Sequence, residues 1–190
     1  MTSAARLPVS ILADHDLVAA VASGDLQALG TLFERYEPGV RRYLGRLGIG
    51  SSDADDLVQA TFLEVVRAAG RFDPTYAARS WLFGIATVMV RRHRRSVGRA
   101  ATRIGLVRRE PAPAPPPTPV EILASDEAMR LFTSAFERLS AKKREVFVLV
   151  TMEGLSGDEA ARALGIPVKT VWTRLHHARL HLRAALEDGR

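Results

Sequence analysis

The sequence predicts an all-α protein of two small helical domains joined by a Pro-rich linker, and three observations support this. The 190 residues lack the alternation of β-branched and polar residues that is typical of strands, and Ala, Leu, Arg and Glu are abundant. The segment EPAPAPPPTP, residues 110–119, cannot be helix interior, because proline lacks a backbone N–H and clashes with the preceding turn. On both sides of this segment, apolar residues recur at helical spacing.

The first domain is placed at residues 14–97 and should contain four helices. Polar residues that can cap a helix precede the apolar patterns, and glycines follow the first and the third. Pro38 should kink or interrupt the second helix, because its ring clashes with the preceding turn. The expected helices are, in chain order, Asp14 to Gly24, a second from about Asp25, Ser52 or Asp53 to about Ala69, and about Ser80 to Arg95.

Residues 98–120 form the expected linker, and residues 121–187 form the second domain. A Pro-rich chain is extended and semi-rigid, so roughly nine residues of it span about 28 Å and allow the domains to lie well apart. In the second domain, helices should open at Ser125 or Asp126 and at Ser140, and two more should follow within residues 154–182.

Residues 154–182, GLSGDEAARALGIPVKTVWTRLHHARLHL, contain two closely spaced helix patterns. Ser156 and Glu159 have the spacing of a capping box, and Gly165 suits a turn that needs positive φ. The second helix has one apolar stripe, and the rest of its surface is basic, hydroxyl or aromatic. This predicts a helix-turn-helix whose second helix enters the major groove of DNA; a plain helical hairpin is the alternative. The stripe consists of Val171, Leu175, Ala178 and Leu182.

The charge distribution also favours a polyanionic partner. The formal net charge is +6, and two long stretches, residues 74–109 and 160–186, contain several arginines but no Asp or Glu. Two basic zones indicate nucleic acid contacted at two places, whereas a solvated basic surface is the alternative.

Composition excludes several classes of protein. With 47% apolar and 25% charged residues the chain should be globular, and without cysteine it has no disulfide and no thiolate metal site. No apolar run approaches the roughly 20 residues of a membrane span, so we expect a cytoplasmic protein without membrane insertion. His177 and His181 have a spacing that can hold a metal, but no nearby carboxylate or cysteine completes the site. We therefore expect neither a metal nor a cofactor.

Residues 51–74, SSDADDLVQATFLEVVRAAGRFDP, form an unusually apolar helix pattern with acids at its start. Acids there complement the helix dipole. A metal-dependent nuclease or phosphotransferase would also use clustered carboxylates, but these diverge around the axis and no His, Glu or Lys completes a catalytic site. Beside the core-facing residues runs a second stripe, which favours a protein-binding surface; a two-sided core contact is the alternative. This second stripe consists of Asp55, Gln59, Phe62 and Val66.

An aromatic cluster with an arginine follows this helix and precedes the first basic zone. Aromatic faces together with arginine suit stacking on unpaired bases, and the loop DPTYAARS could form a pocket for an extruded base. Hydrophobic core is the alternative for Trp81 and Phe83. The cluster consists of Phe72, Tyr76, Arg79, Trp81 and Phe83.

Taken together, these segments resemble bacterial RNA polymerase sigma factors of the extracytoplasmic-function type. DADDLVQATFLEVVRAAGRFDP with SWLFGIA is similar to their second region, and LSAKKREVFVLVTMEGLSGDEAARALGIPVKTVWTRLHHARLHLRAAL is similar to their fourth. The similarity covers about residues 14–95 and 125–186, in the family's order. It implies a protein that binds core RNA polymerase, through the β′ coiled coil and the β flap, and directs it to promoter DNA.

The resemblance also implies roles for individual residues. Contact with the β′ coiled coil falls on Asp55, Asp56, Gln59, Phe62 and Val66. Reading of the −10 element and capture of an unpaired base fall on Tyr76, Arg79, Ser80, Trp81, Arg91 and Arg92. Reading of the −35 element falls on Lys169, Thr170, Trp172, Thr173, Arg174 and His177. An anti-sigma factor is a further expected partner, and no catalytic residue is expected. A freestanding helix-turn-helix regulator that acts without polymerase is the alternative function.

Overall fold

The computed structural model describes residues 12–103 and 126–188, and every regular element within these ranges is helical. This confirms the all-α fold class. None of the described helices combines the length and the apolarity that crossing a bilayer requires. The expected linker lies outside the described residues from residue 104 onward. The helices are α1 (Asp14–Ala22), α2 (Leu26–Arg46), α3 (Ser51–Ala68), α4 (Ala78–Arg103), α5 (Asp126–Glu137), α6 (Ala141–Phe147), α7 (Gly157–Leu164) and α8 (Val168–Asp188).

The starts of α1 and α2 differ in how they are capped. Asp25 caps α2 as expected, since its side chain accepts hydrogen bonds from the backbone N–H groups of Gln27 and Ala28 at 2.9 and 3.1 Å. Asp14 does not cap α1, because it lies inside the first turn. Its carboxylate instead accepts hydrogen bonds from the side chains of Arg35 and Tyr36 and so fastens α1 to α2.

The expected interruption of the second helix is wrong. α2 runs without a break from Leu26 to Arg46 and contains Pro38. Pro38 lies on the exposed side, where water can serve the carbonyl that its missing N–H leaves unpaired. On the opposite side Leu32 and Val40 are buried before and after the proline, and this packing keeps the helix continuous.

α4 is longer than the sequence predicted. It begins at Ala78 and continues to Arg103, past the expected end near Arg95. An isolated glycine such as Gly98 costs a helix only about 1 kcal/mol, and the first proline after the start of α4 is Pro111. The helix therefore continues past Gly98 to Arg103, the last described residue of this range.

α4 also forms much of the core of the first domain. Its buried Phe83 packs against Tyr43 of α2, with ring centroids 5.1 Å apart. The Tyr43 hydroxyl lies 2.6 Å from the Thr87 hydroxyl, which in turn donates to the carbonyl of Phe83 at 2.7 Å. A buried polar pair is thus satisfied within an otherwise apolar core.

The second domain has its core between α5, α6 and α8. Phe132, Phe136 and Phe147 form an aromatic cluster with centroid separations between 5.8 and 6.4 Å. One turn of π-helix, Val148–Met152, then extends α6. In the turn that follows, the N–H groups of Glu153 and Leu155 donate to the carbonyls of Val148 and Leu149 at 2.8 and 2.9 Å, and α7 then begins at Gly157.

The local geometry that the sequence predicted for the helix-turn-helix is confirmed. Ser156 accepts a hydrogen bond from the N–H of Glu159, and the Glu159 carboxylate accepts from the N–H of Ser156 at 2.8 Å, which completes the capping box. Gly165 ends α7 in the left-handed conformation, with φ of 64°. The predicted stripe on α8 is buried throughout, at Val171, Leu175, Ala178 and Leu182.

Candidate functional site

The outer face of α8 carries the residues that the sequence assigned to the major groove. Because the apolar stripe is turned into the core, the opposite face is left to solvent. Thr173 donates its hydroxyl hydrogen bond to the carbonyl of Lys169 at 2.9 Å, so its methyl group is the part that is free to contact a ligand. The exposed members of the predicted set are Lys169, Trp172, Thr173 and His177, and the half-buried members are Thr170 and Arg174.

Trp172 has a fixed position on this face. Its indole ring lies on Gly157 at the start of α7, where an added Cβ would stand 2.5 Å from Cζ2 and 3.1 Å from Nε1. Half of the side chain nevertheless remains accessible, at 51% exposure. A large aromatic edge is therefore presented next to the cationic side chains of α8. Among the described residues, no three His, Asp or Glu side chains are grouped so that they could hold a metal ion.

The residues assigned to the −10 element lie just before α4, in its first turn and further along it, and their environments differ. Ser80 is buried and donates to the carbonyl of Ala77 at 2.8 Å, which makes it a helix-start residue in the structure. Trp81 is half-buried against Phe72, with centroids 4.9 Å apart. Arg92 is exposed. Phe83, from the same aromatic cluster, is core, as the alternative interpretation held.

The other three members of this set contact the second domain. The guanidinium of Arg162 in α7 lies over the ring of Tyr76, 4.7 Å from its centroid. Arg79 donates to the backbone carbonyl of Glu153 at 2.6 Å. Arg91 donates twice to one carboxylate, that of Glu145, at 3.1 and 2.7 Å. The sequence did not predict that this surface and the second domain meet.

The stripe assigned to protein binding on α3 is only partly exposed. Asp55 is exposed and pairs with Arg41 of α2 at 2.5 Å. Phe62 does not face outward: it is 5% exposed and packs against Phe33 of α2, with centroids 4.7 Å apart. The outward-facing apolar position next to it is Leu63, at 59% exposure, which sequence reasoning missed. The other exposed members of the predicted set are Asp56, Gln59 and Val66.

The helical geometry gives the signal that could have identified Leu63. At about 100° per residue, Leu63 lies about 40° from Gln59, on the side away from the core. Phe62 lies about 60° from Gln59 on the other side, next to the buried Val58. Together with Val66 and the partly exposed ring of Phe33, Leu63 forms an apolar surface beside the acids of α3.

Comparison with known proteins agrees with this architecture. The family model described as Sigma-70 region 2 matches residues 32–101, and that described as Sigma-70, region 4 matches residues 129–182. The RNA polymerase sigma factor CnrH of Cupriavidus metallidurans is 34% identical over 187 residues, covering 92% of this chain and 95% of CnrH. The ECF RNA polymerase sigma factor SigC of Mycobacterium tuberculosis is 32% identical over 178 residues, covering 90% of each chain.

Two solved structures share the fold. The structure of CnrH in complex with the cytosolic domain of CnrY matches with a TM-score of 0.66 and 31% identity, covering 92% of this chain and 97% of that one. The sigma factor RpoE of Bartonella quintana, in complex with the anti-sigma factor NepR, matches with a TM-score of 0.69 and 25% identity, covering 83% and 96%.

Proposed function

The chain belongs to the sigma-70 family of RNA polymerase sigma factors, in its extracytoplasmic-function group. From this membership we propose that three of its surfaces bind the −35 element, the −10 element and core RNA polymerase. The protein binds core RNA polymerase and directs transcription initiation at specific promoters. Sigma factors are generally non-enzymatic regulators of transcription initiation, and we assign no catalytic residue to this chain. Its place of action is the cytoplasm, where the polymerase and the chromosome are.

The outer face of α8 reads the −35 element in the major groove. The single observation that carries this assignment is the burial of the stripe from Val171 to Leu182, because it turns Lys169, Trp172 and Thr173 outward together. Lysine and arginine supply phosphate or guanine contacts, and the Thr173 methyl and the Trp172 edge can meet a thymine methyl.

The loop before α4 and the first turns of α4 read the −10 element. Tyr76 and Trp81 supply aromatic faces for unpaired bases, and Arg79, Arg91 and Arg92 supply positive charge. Stacking on these faces offsets a few kcal/mol of base unstacking when the strands separate. Ser80 stabilises the start of α4 through its hydrogen bond to the Ala77 carbonyl. Its effect on DNA binding is indirect, because it holds the neighbouring DNA-contacting residues in position.

The exposed side of α3 binds the β′ coiled coil of the polymerase, and the second domain binds the β flap. Asp55, Asp56 and Gln59 offer polar contacts, and Val66 with Leu63 adds apolar area. Phe62 supports this surface from below. An anti-sigma factor is a further partner, as NepR is for RpoE of Bartonella quintana.

Reconstituted transcription tests the assignment directly. Purified protein is mixed with core RNA polymerase, and the complex transcribes a library of genomic fragments whose transcript starts are sequenced. We expect retention of the protein by the polymerase and a shared pair of elements upstream of the starts. The freestanding regulator is the competing function: it would be retained by a DNA site at nanomolar concentration without polymerase and would yield no transcripts.

A further inference from the structure

We propose that Arg41 of α2 is a positioning residue for polymerase binding, because it holds the carboxylate of Asp55 in one orientation for contact with the β′ coiled coil. The inference rests on the proposed function for the role of Asp55, whereas the arrangement of Arg41 rests on its own contacts. Arg41 precedes Asp55 by 14 residues and belongs to another helix, so the residue pattern of α3 alone does not point to it.

Arg41 joins α2 to α3 through two carboxylates. Its Nε donates a hydrogen bond to Glu37 at 2.5 Å, and its Nη1 donates one to Asp55 at 2.5 Å. Glu37 lies one turn before Arg41 on α2, and this order of acid and base is the favourable one for a pair along a helix. The guanidinium is planar and rigid, so a contact at Nε fixes the direction of Nη1. Glu37 therefore directs Arg41 towards α3.

Glu37 is a firm anchor for this arrangement. Its side chain is 19% exposed, whereas that of Arg41 is 47% exposed and that of Asp55 is 68% exposed. An ion pair between two freely moving surface side chains contributes little, because both lose rotational freedom when they pair. Here the first of the three side chains is already held by packing, so its order extends through Arg41 to Asp55.

Asp55 has a single tether in the described part of the chain. Arg41 is the one hydrogen-bond partner that the described residues give its carboxylate, and the contact is made at Oδ1. An exposed side chain that is free to rotate loses this freedom when a partner binds, and the loss weakens binding. Arg41 restricts the rotation beforehand and leaves Oδ2 to accept a hydrogen bond from the polymerase. Asp55 is therefore presented to its partner in one orientation.

Asp56 provides an internal comparison. It is the next residue of α3, it is exposed, and it is assigned to the same polymerase-binding surface. Asp53 lies 3.6 Å from His93 and Asp55 pairs with Arg41, whereas no cation of the described residues pairs with Asp56. Arg41 therefore acts on Asp55 and not on its neighbour.

Packing elsewhere fixes α2 against α3, so Arg41 is not needed to hold the two helices together. Phe33 of α2 contacts the buried Phe62 of α3, with ring centroids 4.7 Å apart. An exposed ion pair adds little to the free energy of unfolding by comparison. Loss of Arg41 should therefore free the side chain of Asp55 without moving either helix.

The affinity of the full-length chain for core RNA polymerase tests the proposal. The chain has no cysteine, so Ser23→Cys, at an exposed position just after α1, supplies one thiol for a dye whose anisotropy reports binding. Arg41→Gln should weaken binding about two- to tenfold, the cost of ordering one side chain on binding, while its unfolding temperature stays that of the parent protein. The control is Arg183→Gln, which breaks an exposed ion pair of α8 and should bind as the parent does.

A double-mutant cycle shows whether Arg41 acts through Asp55. Arg41→Gln should weaken binding in the parent protein and in Asp56→Ala, but should cause no further loss in Asp55→Ala. Glu37→Gln should follow the same pattern with a smaller loss. Equal losses from Arg41→Gln in all three backgrounds would make Arg41 an independent contact of the polymerase and would overturn the positioning role.

The conservative variant separates position from charge. Arg41→Lys keeps the positive charge, but an ammonium group on a flexible stem does not reproduce the rigid pair of donors that meets Glu37 and Asp55. It should therefore bind the polymerase more weakly than the parent protein does. Full affinity in Arg41→Lys would show that charge alone suffices and would refute the proposal.

This inference and the proposed function fail in different ways. If Asp55→Ala weakens binding but Arg41→Gln does not, Arg41 has no positioning role and the polymerase-binding surface of α3 stands. If Asp55→Ala, Asp56→Ala and Gln59→Ala all bind as the parent protein does, that surface is wrong and the role of Arg41 is wrong with it.

Discussion

Trp172 lies so close to Gly157 that a Cβ at residue 157 would stand 2.5 Å from the indole Cζ2. A glycine at the start of α7 thus decides where the largest side chain of the DNA-facing helix is placed. Since the ring also remains half exposed, its position affects which bases α8 can contact.

Gly157→Ala should therefore displace the indole and weaken binding of the −35 element by about 1–3 kcal/mol, the range of one specific base contact. Promoter binding by reconstituted holoenzyme measures the affinity. Indole fluorescence in a Trp81→Phe background reports the displacement, because Trp81 and Trp172 are the two tryptophans of the chain. Asp158→Ala, at the exposed neighbouring position, is the control. Unaltered fluorescence and affinity in Gly157→Ala would show that the ring has room to stay.

Arg174→Ala should weaken −35 binding by about 1–3 kcal/mol if the guanidinium contacts a base edge with two hydrogen bonds. The half-buried position of Arg174 on α8 restricts its rotamers and favours such a contact. The measurement is holoenzyme affinity for matched promoters with one −35 base changed at a time. Arg183→Ala, further along α8, is the control. A loss that is equal for all sequences, with a shallower salt dependence, would assign Arg174 to a phosphate instead.

The features that the sequence predicted correctly depend on residues close together in the chain. The capping box of Ser156 and Glu159, the left-handed Gly165 and the buried stripe of α8 all follow from spacing within a few residues. The interruption expected at Pro38 and the outward orientation expected for Phe62 were wrong because distant packing decided them: buried residues on both sides keep α2 continuous, and Phe33 covers Phe62.

The contact between the domains could not be predicted from local spacing. Arg79 and Glu153 are 74 residues apart in the chain, and Arg46 and Glu153 are 107 apart. In a basic chain each of these arginines is equally well explained as a ligand for DNA. Only the folded arrangement shows which carboxylates reach them. The sequence therefore predicted the cationic surface but not the carboxylates of the same chain that pair with it.

Phe62 and Leu63, adjacent on α3, should respond differently to truncation. Phe62→Ala should destabilise the first domain by about 3–5 kcal/mol, because it removes a buried ring, whereas Leu63→Ala should change stability by about 0.5 kcal/mol or less. Thermal unfolding measures both. Leu63→Ala and Gln59→Ala should each reduce affinity for core polymerase in a pull-down at limiting concentration. A large stability loss in Gln59→Ala or Leu63→Ala would place that residue in the core and remove it from the proposed interface.

The capping box predicts how the second domain responds to acid. The backbone N–H of Ser156 donates to the Glu159 carboxylate and lowers its pKa below the usual 4.5. Because the pKa is depressed in the folded state, the stabilisation is complete above the unfolded value and is lost as the pH falls through the folded value. The temperature of thermal unfolding should therefore fall more steeply below about pH 4.5 in the parent protein than in Glu159→Gln, whose amide side chain cannot titrate.

Ser156→Ala provides the matching change at the other end of the box. It removes the hydroxyl that accepts from the N–H of Glu159, and should cost about 1 kcal/mol near neutral pH. The backbone N–H of Ser156 is retained, so the Glu159 carboxylate keeps its main hydrogen bond and the acid response should persist. An acid response that disappears in Ser156→Ala would mean that the hydroxyl, not the backbone N–H, sets the pKa of Glu159. An acid response equal in Glu159→Gln and the parent would mean that other carboxylates cause it.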